Sequence, residues 1–243
     1  MNSPSIQNAQ GDHRAIQVLA FDIFGTVVDW HGSIQREMAE LYPQVEGDAF
    51  ALAWRKGYQP AMARVMQGEL PWTLIDDLHR LILDGLLSEF GLDHLSEAQK
   101  KHLNRVWHRL QPWPDTVAAL HRLKQKYILC TLSNGNVNLL TRMSKSAGLP
   151  WDCILSAEVF HAYKPDPKTY LGVARIFDVA PHAVMLVAAH HDDLEGAKAC
   201  GLQTAYVERP QELGLGRPKD VSPRAAHDLH AQDLSDLANQ LGC

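Results

Sequence analysis

Short apolar runs recur along the chain, and helical stripes fill the spaces between them. From Ile16 the sequence reads IQVLAFD, an apolar run ending on an acid, with Gly25-Thr26 behind it. That pattern predicts a buried strand running into a turn, with Asp22 at the strand's carboxyl end. The stretch from Gly32 to Gln111 then changes character. Leu74, Leu78, Leu81, Ile82 and Gly85 fall on one helical face, and Gly91 is placed to stop that helix. Ser96 with Gln99 makes a capping box, and Leu103, Val106, Trp107 and Leu110 form the next stripe until Pro112 and Pro114 end it.

After Pro114 helices and strands alternate. Asp115 caps a helix through Lys124, Tyr127 to Leu132 reads as a strand, and Asn136 to Ala147 is helical before Gly148. Cys153 to Leu155 is a strand, Pro167 to Phe177 a helix, Val184 to Ala188 a strand, Asp193 to Cys200 a helix and Thr204 to Val207 a strand. The tail beyond Arg209 is interrupted by Pro and Gly and ends in a helix around Leu234 to Leu241. Strands alternating with helices imply a parallel sheet covered on both faces. The expected fold is therefore an α/β, doubly wound, Rossmann-like core of residues 16–31 and 112–243. Residues 32–111 form a helical cap inserted after the first strand, and 1–15 form a polar N-terminal tail. Such a cap would lie over the carboxyl ends of the strands, where open α/β sheets place their ligands.

Composition narrows the function classes. The 243 residues are 46% hydrophobic and 21% charged, a mix that fits a globular protein. Twenty-three Lys and Arg against 28 Asp and Glu give a net charge of −5, with no basic footprint for nucleic acid. The absence of a long apolar run or an apolar leader argues against membrane insertion and export, and four cysteines without a C-x-x-C pair read as reduced thiols of a cytoplasmic chain. Thirteen histidines suggest a metal protein on count alone.

Four polar sites fall at or just past predicted strand ends: Asp22, the turn Ser133-Asn134-Gly135, Lys164, and the run from His190 to Asp193. Singly, each is a common cap, turn or surface residue. In order they read F-D-x-F-G-T, L-S-N-G, Y-K-P-D-P and A-x-x-x-D-x-x-G-A, which resembles the haloacid dehalogenase superfamily over nearly the whole chain. Most of that superfamily are Mg-dependent phosphatases with a second Asp two residues after the nucleophile. Here that position is Phe24, which cannot protonate a leaving alkoxide, whereas most halides leave without an acid. The closer resemblance is to the type II, L-2-haloacid dehalogenases, and Trp54-Arg55 matches the pair that carries the family's halide-binding arginine.

The resemblance implies an Asp22 nucleophile that attacks the substrate's α-carbon, expels halide and leaves an aspartyl ester. Lys164 would keep Asp22 ionised and help hold the substrate carboxylate, while Thr26 would orient Asp22. Ser133, with the backbone N–H groups near Ile23 and Phe24, would bind that carboxylate. Arg55 and Asn134 would donate to the departing halide, and Phe24 and Trp54 would help exclude water. Asp193 would activate the water that hydrolyses the ester. The expected substrates are short 2-haloalkanoic acids, haloacetates and L-2-halopropionate, with fluoroacetate added on account of His190.

The chain departs from the family at Ala188 and His190, where described members carry Ser and Asn. Two readings of His190 stand: an imidazolium that stabilises departing fluoride, or a neutral ring that packs in the turn. His190-His191-Asp192-Asp193 looks like a metal cluster, but it lacks the spacing of a three-ligand site and the acidic partner at Phe24, so no metal and no cofactor are expected. Alternatives remain. A phosphonoacetaldehyde hydrolase would need a Schiff-base lysine, for which Lys56 is the candidate; a phosphatase and a non-catalytic module on the same fold are the others. The partner expected is a small 2-haloacid, with no nucleic acid or membrane, and the resemblance adds a homodimer.

Overall fold

In the computed structural model, which describes residues 16–243, the IQVLAFD run forms β1 (Val18–Phe21), buried throughout. The polar tail read at 1–15 lies outside the described residues. Past Gly25 the chain enters a short strand, β2 (Val28–Asp29), then α1 (Trp30–Leu41), α2 (Gly47–Lys56), α3 (Tyr58–Met66), α4 (Ile75–Leu86) and α5 (Glu97–Asn104), and returns along β3 (Gln111–Pro112). β2 and β3 pair antiparallel, Val28 opposite Pro112 and Asp29 opposite Gln111, so the outgoing and returning chains are tied together below the helical insertion.

The remainder alternates: α6 (Thr116–Leu123), β4 (Ile128–Ser133), α7 (Val137–Ala147), β5 (Cys153–Ser156), α8 (Ala157–Phe160), α9 (Pro167–Ile176), β6 (Val184–Ala188), α10 (His191–Ala199), β7 (Gln203–Val207), β8 (Leu229–Ala231) and α11 (Leu234–Gln240). Six strands form one sheet in the order β5-β4-β1-β6-β7-β8, every neighbour parallel. Both faces are covered, which is why the strands read as continuous apolar runs. Leu19, Phe21, Met185 and Val187 face α6, α7, α11 and the cap, while Val18, Ala20, Val184 and Leu186 face α9 and α10.

β1 lies between β4 and β6, so connections leave it in opposite directions across the sheet, and the crevice at its carboxyl end is where such a fold binds ligands. Asp22 is the first residue beyond that end. Phe24 meets the cap there, edge-on to Trp107 at 5.6 Å and to Tyr58 at 6.3 Å between ring centres. No helix among the described residues is long and apolar enough to cross a membrane.

Several local expectations change. The Ser96–Gln99 capping box is present, but α4 stops at Leu86 and Gly91, at φ +68°, closes a separate turn after it. Leu81, expected on the buried stripe, is half exposed. Asp115 precedes α6 without capping it, because its carboxylate is taken by both terminal nitrogens of Arg209, at 3.0 and 2.8 Å, and by the Leu234 N–H. α10 begins at His191, two residues early, so Asp193 lies in its first turn. The tail also supplies a sixth strand, β8, which pairs with β7.

Candidate active site

Asp22 is buried, and its two carboxylate oxygens are held differently. Oδ1 accepts from Lys164 Nζ at 2.9 Å. Oδ2 accepts from Thr26 Oγ1 at 2.7 Å and faces His190 Nδ1 at 3.2 Å. Burial alone would raise the Asp22 carboxyl, but Lys164 and then His190 hold it well below the usual carboxylate range. The turn after β1 is fixed from beneath by Arg209, which donates Nε to the Thr26 carbonyl at 2.9 Å.

Lys164 Nζ also reaches Asp193 Oδ2 at 2.5 Å, so one ammonium bridges the carboxylates from the ends of β1 and β6. Burial opposes its charge, but Asp193 and Asp22 together push it above the ordinary lysine value. Asp193 moves the other way. Burial raises its carboxyl, Lys164 pulls it down, Asp22 pushes it up again, and the net direction is up. Its Oδ1 accepts from Tyr170 at 2.8 Å. Gly196 makes that approach feasible, since a Cβ there would lie 2.9 Å from the Tyr170 hydroxyl oxygen.

The histidine-rich run is divided by the start of α10. His190 turns to Asp22, His191 stacks on Tyr206 and bonds His227 at 2.8 Å, Asp192 is exposed and Asp193 faces Lys164. Among the described residues no group of three or more His, Cys, Asp or Glu side chains is arranged to hold a metal ion. An ammonium occupies the place between the two carboxylates, and an aromatic ring stands at Phe24.

His190 Nε2 lies 2.8 Å from Glu212 Oε1, so both ring nitrogens face carboxylates.

The L-S-N-G turn supplies two free donors. Ser133 Oγ accepts from the Gly135 N–H at 3.1 Å, leaving its own hydrogen to donate. Asn134 Oδ1 accepts from the Lys164 N–H at 2.8 Å, which turns its amide nitrogen away from that N–H. In the turn after β1, Gly25, Val27 and Val28 donate to carbonyls, whereas Ile23 and Phe24 donate to none among the described residues. Arg55 lies over Tyr58, its guanidinium carbon 4.3 Å from the ring centre, and Nη1 is buried with no partner among the described residues. Trp54 stands behind the wall, packing on Trp107 at 5.6 Å and donating Nε1 to the His79 carbonyl at 2.9 Å. Lys56 is exposed at the end of α2, which removes the candidate Schiff-base lysine from the site.

Tyr58, His79, Trp107, Tyr170 and Glu212 join this site without having been read from the sequence as site residues. Tyr58 had a usable signal, three residues after Arg55. Burial pushes its hydroxyl up to about 12, so it stays a neutral donor.

A family model described as a haloacid dehalogenase-like hydrolase matches residues 16–201. The chain belongs to the haloacid dehalogenase-like hydrolases. Within them it is of the L-2-haloacid dehalogenase type. It is 46% identical to a crystallised L-2-haloacid dehalogenase, with a TM-score of 0.89, over 93% of this chain and 100% of that one. A crystallised defluorinating L-2-haloacid dehalogenase is 42% identical, with a TM-score of 0.90, over 94% of this chain and 96% of that one. The (S)-2-haloacid dehalogenase 4A of Burkholderia cepacia is 29% identical over 80% of this chain and 84% of its own length. The fold, the enzyme class and the family implied by the motif order all hold for this haloacid dehalogenase-like hydrolase.

Proposed function

We propose that the chain is a hydrolytic dehalogenase converting short 2-haloalkanoic acids to 2-hydroxy acids through an ester on Asp22. Haloacetates, L-2-halopropionate and fluoroacetate are its substrates. The observation that carries this reading is the state of Asp22 beneath Phe24. The carboxylate is kept ionised, and hydrogen-bond counting supports Oδ1 as its nucleophilic oxygen. An ionised carboxylate oxygen has two in-plane lone pairs. Thr26 and His190 occupy both on Oδ2, and Lys164 takes one on Oδ1. Oδ1 therefore keeps a pair for attack on carbon.

The remaining groups fit the rest of the displacement. Ser133, the Ile23 and Phe24 N–H groups and Lys164 bind the substrate carboxylate. Arg55 Nη1 and the Asn134 amide receive the halide, supplying donors where charge grows in the transition state. Asp193, between Tyr170 and Lys164, takes the proton of the hydrolytic water. Phe24 in place of an acid disfavours phosphate esters, whose leaving oxygen needs a proton. Fluoroacetate is supported by the defluorinating relative. The same reading makes the protein cytoplasmic, with Cys130, Cys153, Cys200 and Cys243 all free, and a homodimer. Exposed Leu41, Met66 and Leu81 on the cap offer the apolar surface, and light scattering at the purified mass would show two copies.

Halide release should be measured with chloroacetate, fluoroacetate and both enantiomers of 2-chloropropionate. The expected result is release from the haloacetates and the L enantiomer and none with Asp22→Asn. Phosphate release from p-nitrophenyl phosphate without halide release would replace this function with a phosphatase.

A further inference from the structure

Glu212 lies in the segment after β7, where no motif marked it, yet it is among the most buried charged residues of the chain, 3% exposed. Its Oε1 faces His190 Nε2 at 2.8 Å and accepts from Trp30 Nε1 at 3.2 Å, while Oε2 accepts from Lys219 Nζ at 2.5 Å. The nucleophile turn is shaped around it. A Cβ on Gly25 would lie 2.1 Å from Glu212 Oε1, so the backbone at φ +89° leaves room for this carboxylate and no side chain. A buried carboxylate with this many partners is costly to assemble, and its one contact with the reacting groups is His190.

We propose that Glu212 is a positioning residue that holds His190 as an imidazolium, so that His190 and Thr26 form a two-donor cradle for the ester-hydrolysis half of the reaction. The inference rests on Asp22 being the nucleophile. With ionised carboxylates on both sides, the ring must donate through both nitrogens and so carries two protons. After Oδ1 has been alkylated, Oδ2 is the ester carbonyl oxygen, and it already lies between Thr26 Oγ1 and His190 Nδ1. Water adds to Cγ, its proton passes to Asp193, and the carbonyl pair moves onto Oδ2, where the cradle receives the charge. The pair then re-forms the carbonyl, the Cγ–Oδ1 bond breaks, the departing alkoxide takes the proton back as the 2-hydroxy acid, and the regenerated Asp22 carboxyl releases water's second proton to solvent, which restores its ionised form. His190 keeps its proton throughout.

The charged groups around His190 agree. Asp22 comes from the β1 turn, Glu212 and Lys219 from the segment after β7, and Lys164 and Asp193 lie beyond Asp22. Burial alone would lower the ring, but Glu212 and Asp22 carry it up to about 9.

The test uses Glu212→Gln in the full chain, with chloroacetate. Rapid-quench halide release should keep its first-turnover rate within about threefold, while steady-state turnover falls about 10²-fold, as for loss of one preorganised donor. Intact mass should show the enzyme accumulating as the ester adduct. In ¹⁵N-histidine spectra of the resting enzyme, His190 should stay doubly protonated to about pH 9 and lose that proton at lower pH in the variant. A parallel fall of burst and turnover without adduct would reduce Glu212 to a structural role. A wild-type His190 that is neutral at pH 7 would overturn the proposal without any substrate. Should Glu212→Gln fail to fold, the wild-type titration of His190 still decides the proposal. Absence of halide release from the wild type would instead remove the dehalogenase reading and the step assigned here, while the titration would still decide whether Glu212 charges His190.

Discussion

The guanidinium carbon of Arg55 stands 4.3 Å from the centre of the Tyr58 ring, and the adjoining Nη1 is buried without a partner among the described residues. A buried N–H left unpaired costs stability unless something binds it. The stack fixes the plane of the fork beside Tyr58, the ring that Phe24 meets edge-on at 6.3 Å. Lysine keeps the charge but loses both the plane and the stack. Arg55→Lys should therefore lower kcat/KM for chloroacetate by about 10²–10³, the usual loss for one preorganised donor. Stopped-flow halide detection would show it, and an unchanged kcat/KM would move the halide site elsewhere.

Phe24 is 2% exposed and meets Tyr58, His79 and Trp107 edge-on. Removing the ring leaves a cavity between cap and core that these neighbours cannot fill without giving up their own contacts. Phe24→Ala should cost about 3–5 kcal/mol in urea unfolding. A loss below about 1 kcal/mol would mean that the cap does not depend on this contact.

What could be read in advance follows the range of the interactions. Strand β6 is at its expected limits, Val184–Ala188, because two-sided burial writes itself into a continuous apolar run. Asp22 and Ser133 stood out at strand ends, and Lys164 and Asp193 through the order of the four motifs. Glu212 gave no such signal. It lies 22 residues beyond His190, in a stretch punctuated by Pro210, Gly214 and Gly216, and only the folded turn around Gly25 gives it a purpose. Arg209 was hidden for the same reason, its partners Thr26 and Asp115 being 183 and 94 residues away. Leu81 shows the opposite failure, since helical spacing identifies a stripe but not where its edge meets solvent.

Arg209 is 5% exposed and clamps Asp115 through two nitrogens while holding the Thr26 carbonyl. Arg209→Met should destabilise the protein by about 3–5 kcal/mol, because it leaves a mostly buried carboxylate unpaired. Adding Asp115→Asn should recover part of that loss in the same urea titration. Strict additivity of the two substitutions would show that they do not act as a pair.

The same network gives stability a two-sided pH dependence. His190 is raised to about 9 from 6.5, so its contribution is complete below about pH 6.5 and is lost as pH rises through about 9. Glu212 and Asp22 are depressed from 4.5 and 3.8, so theirs is complete above about pH 4.5 and is lost as pH falls below it. Urea midpoints should form a plateau between these limits. With Glu212→Gln the alkaline fall should begin at lower pH, and an unshifted alkaline limb would detach His190 from it.

The two Asp22 oxygens have different partners, and on the proposed ester route Oδ1 carries the new bond to carbon, so after hydrolysis it leaves as the hydroxyl of the product. Water attacks Cγ and replaces it, while Oδ2 remains in place between Thr26 and His190. A single turnover in ¹⁸O-water should thus put one label into Asp22 and none into the first product molecule, read by peptide and product mass. Later turnovers release that label in the product. Had Asp193 instead activated water for direct attack on the α-carbon, label would appear in the first product and Asp22 would stay unlabelled. Inversion at the α-carbon accompanies either course, so stereochemistry cannot separate them and the isotope must.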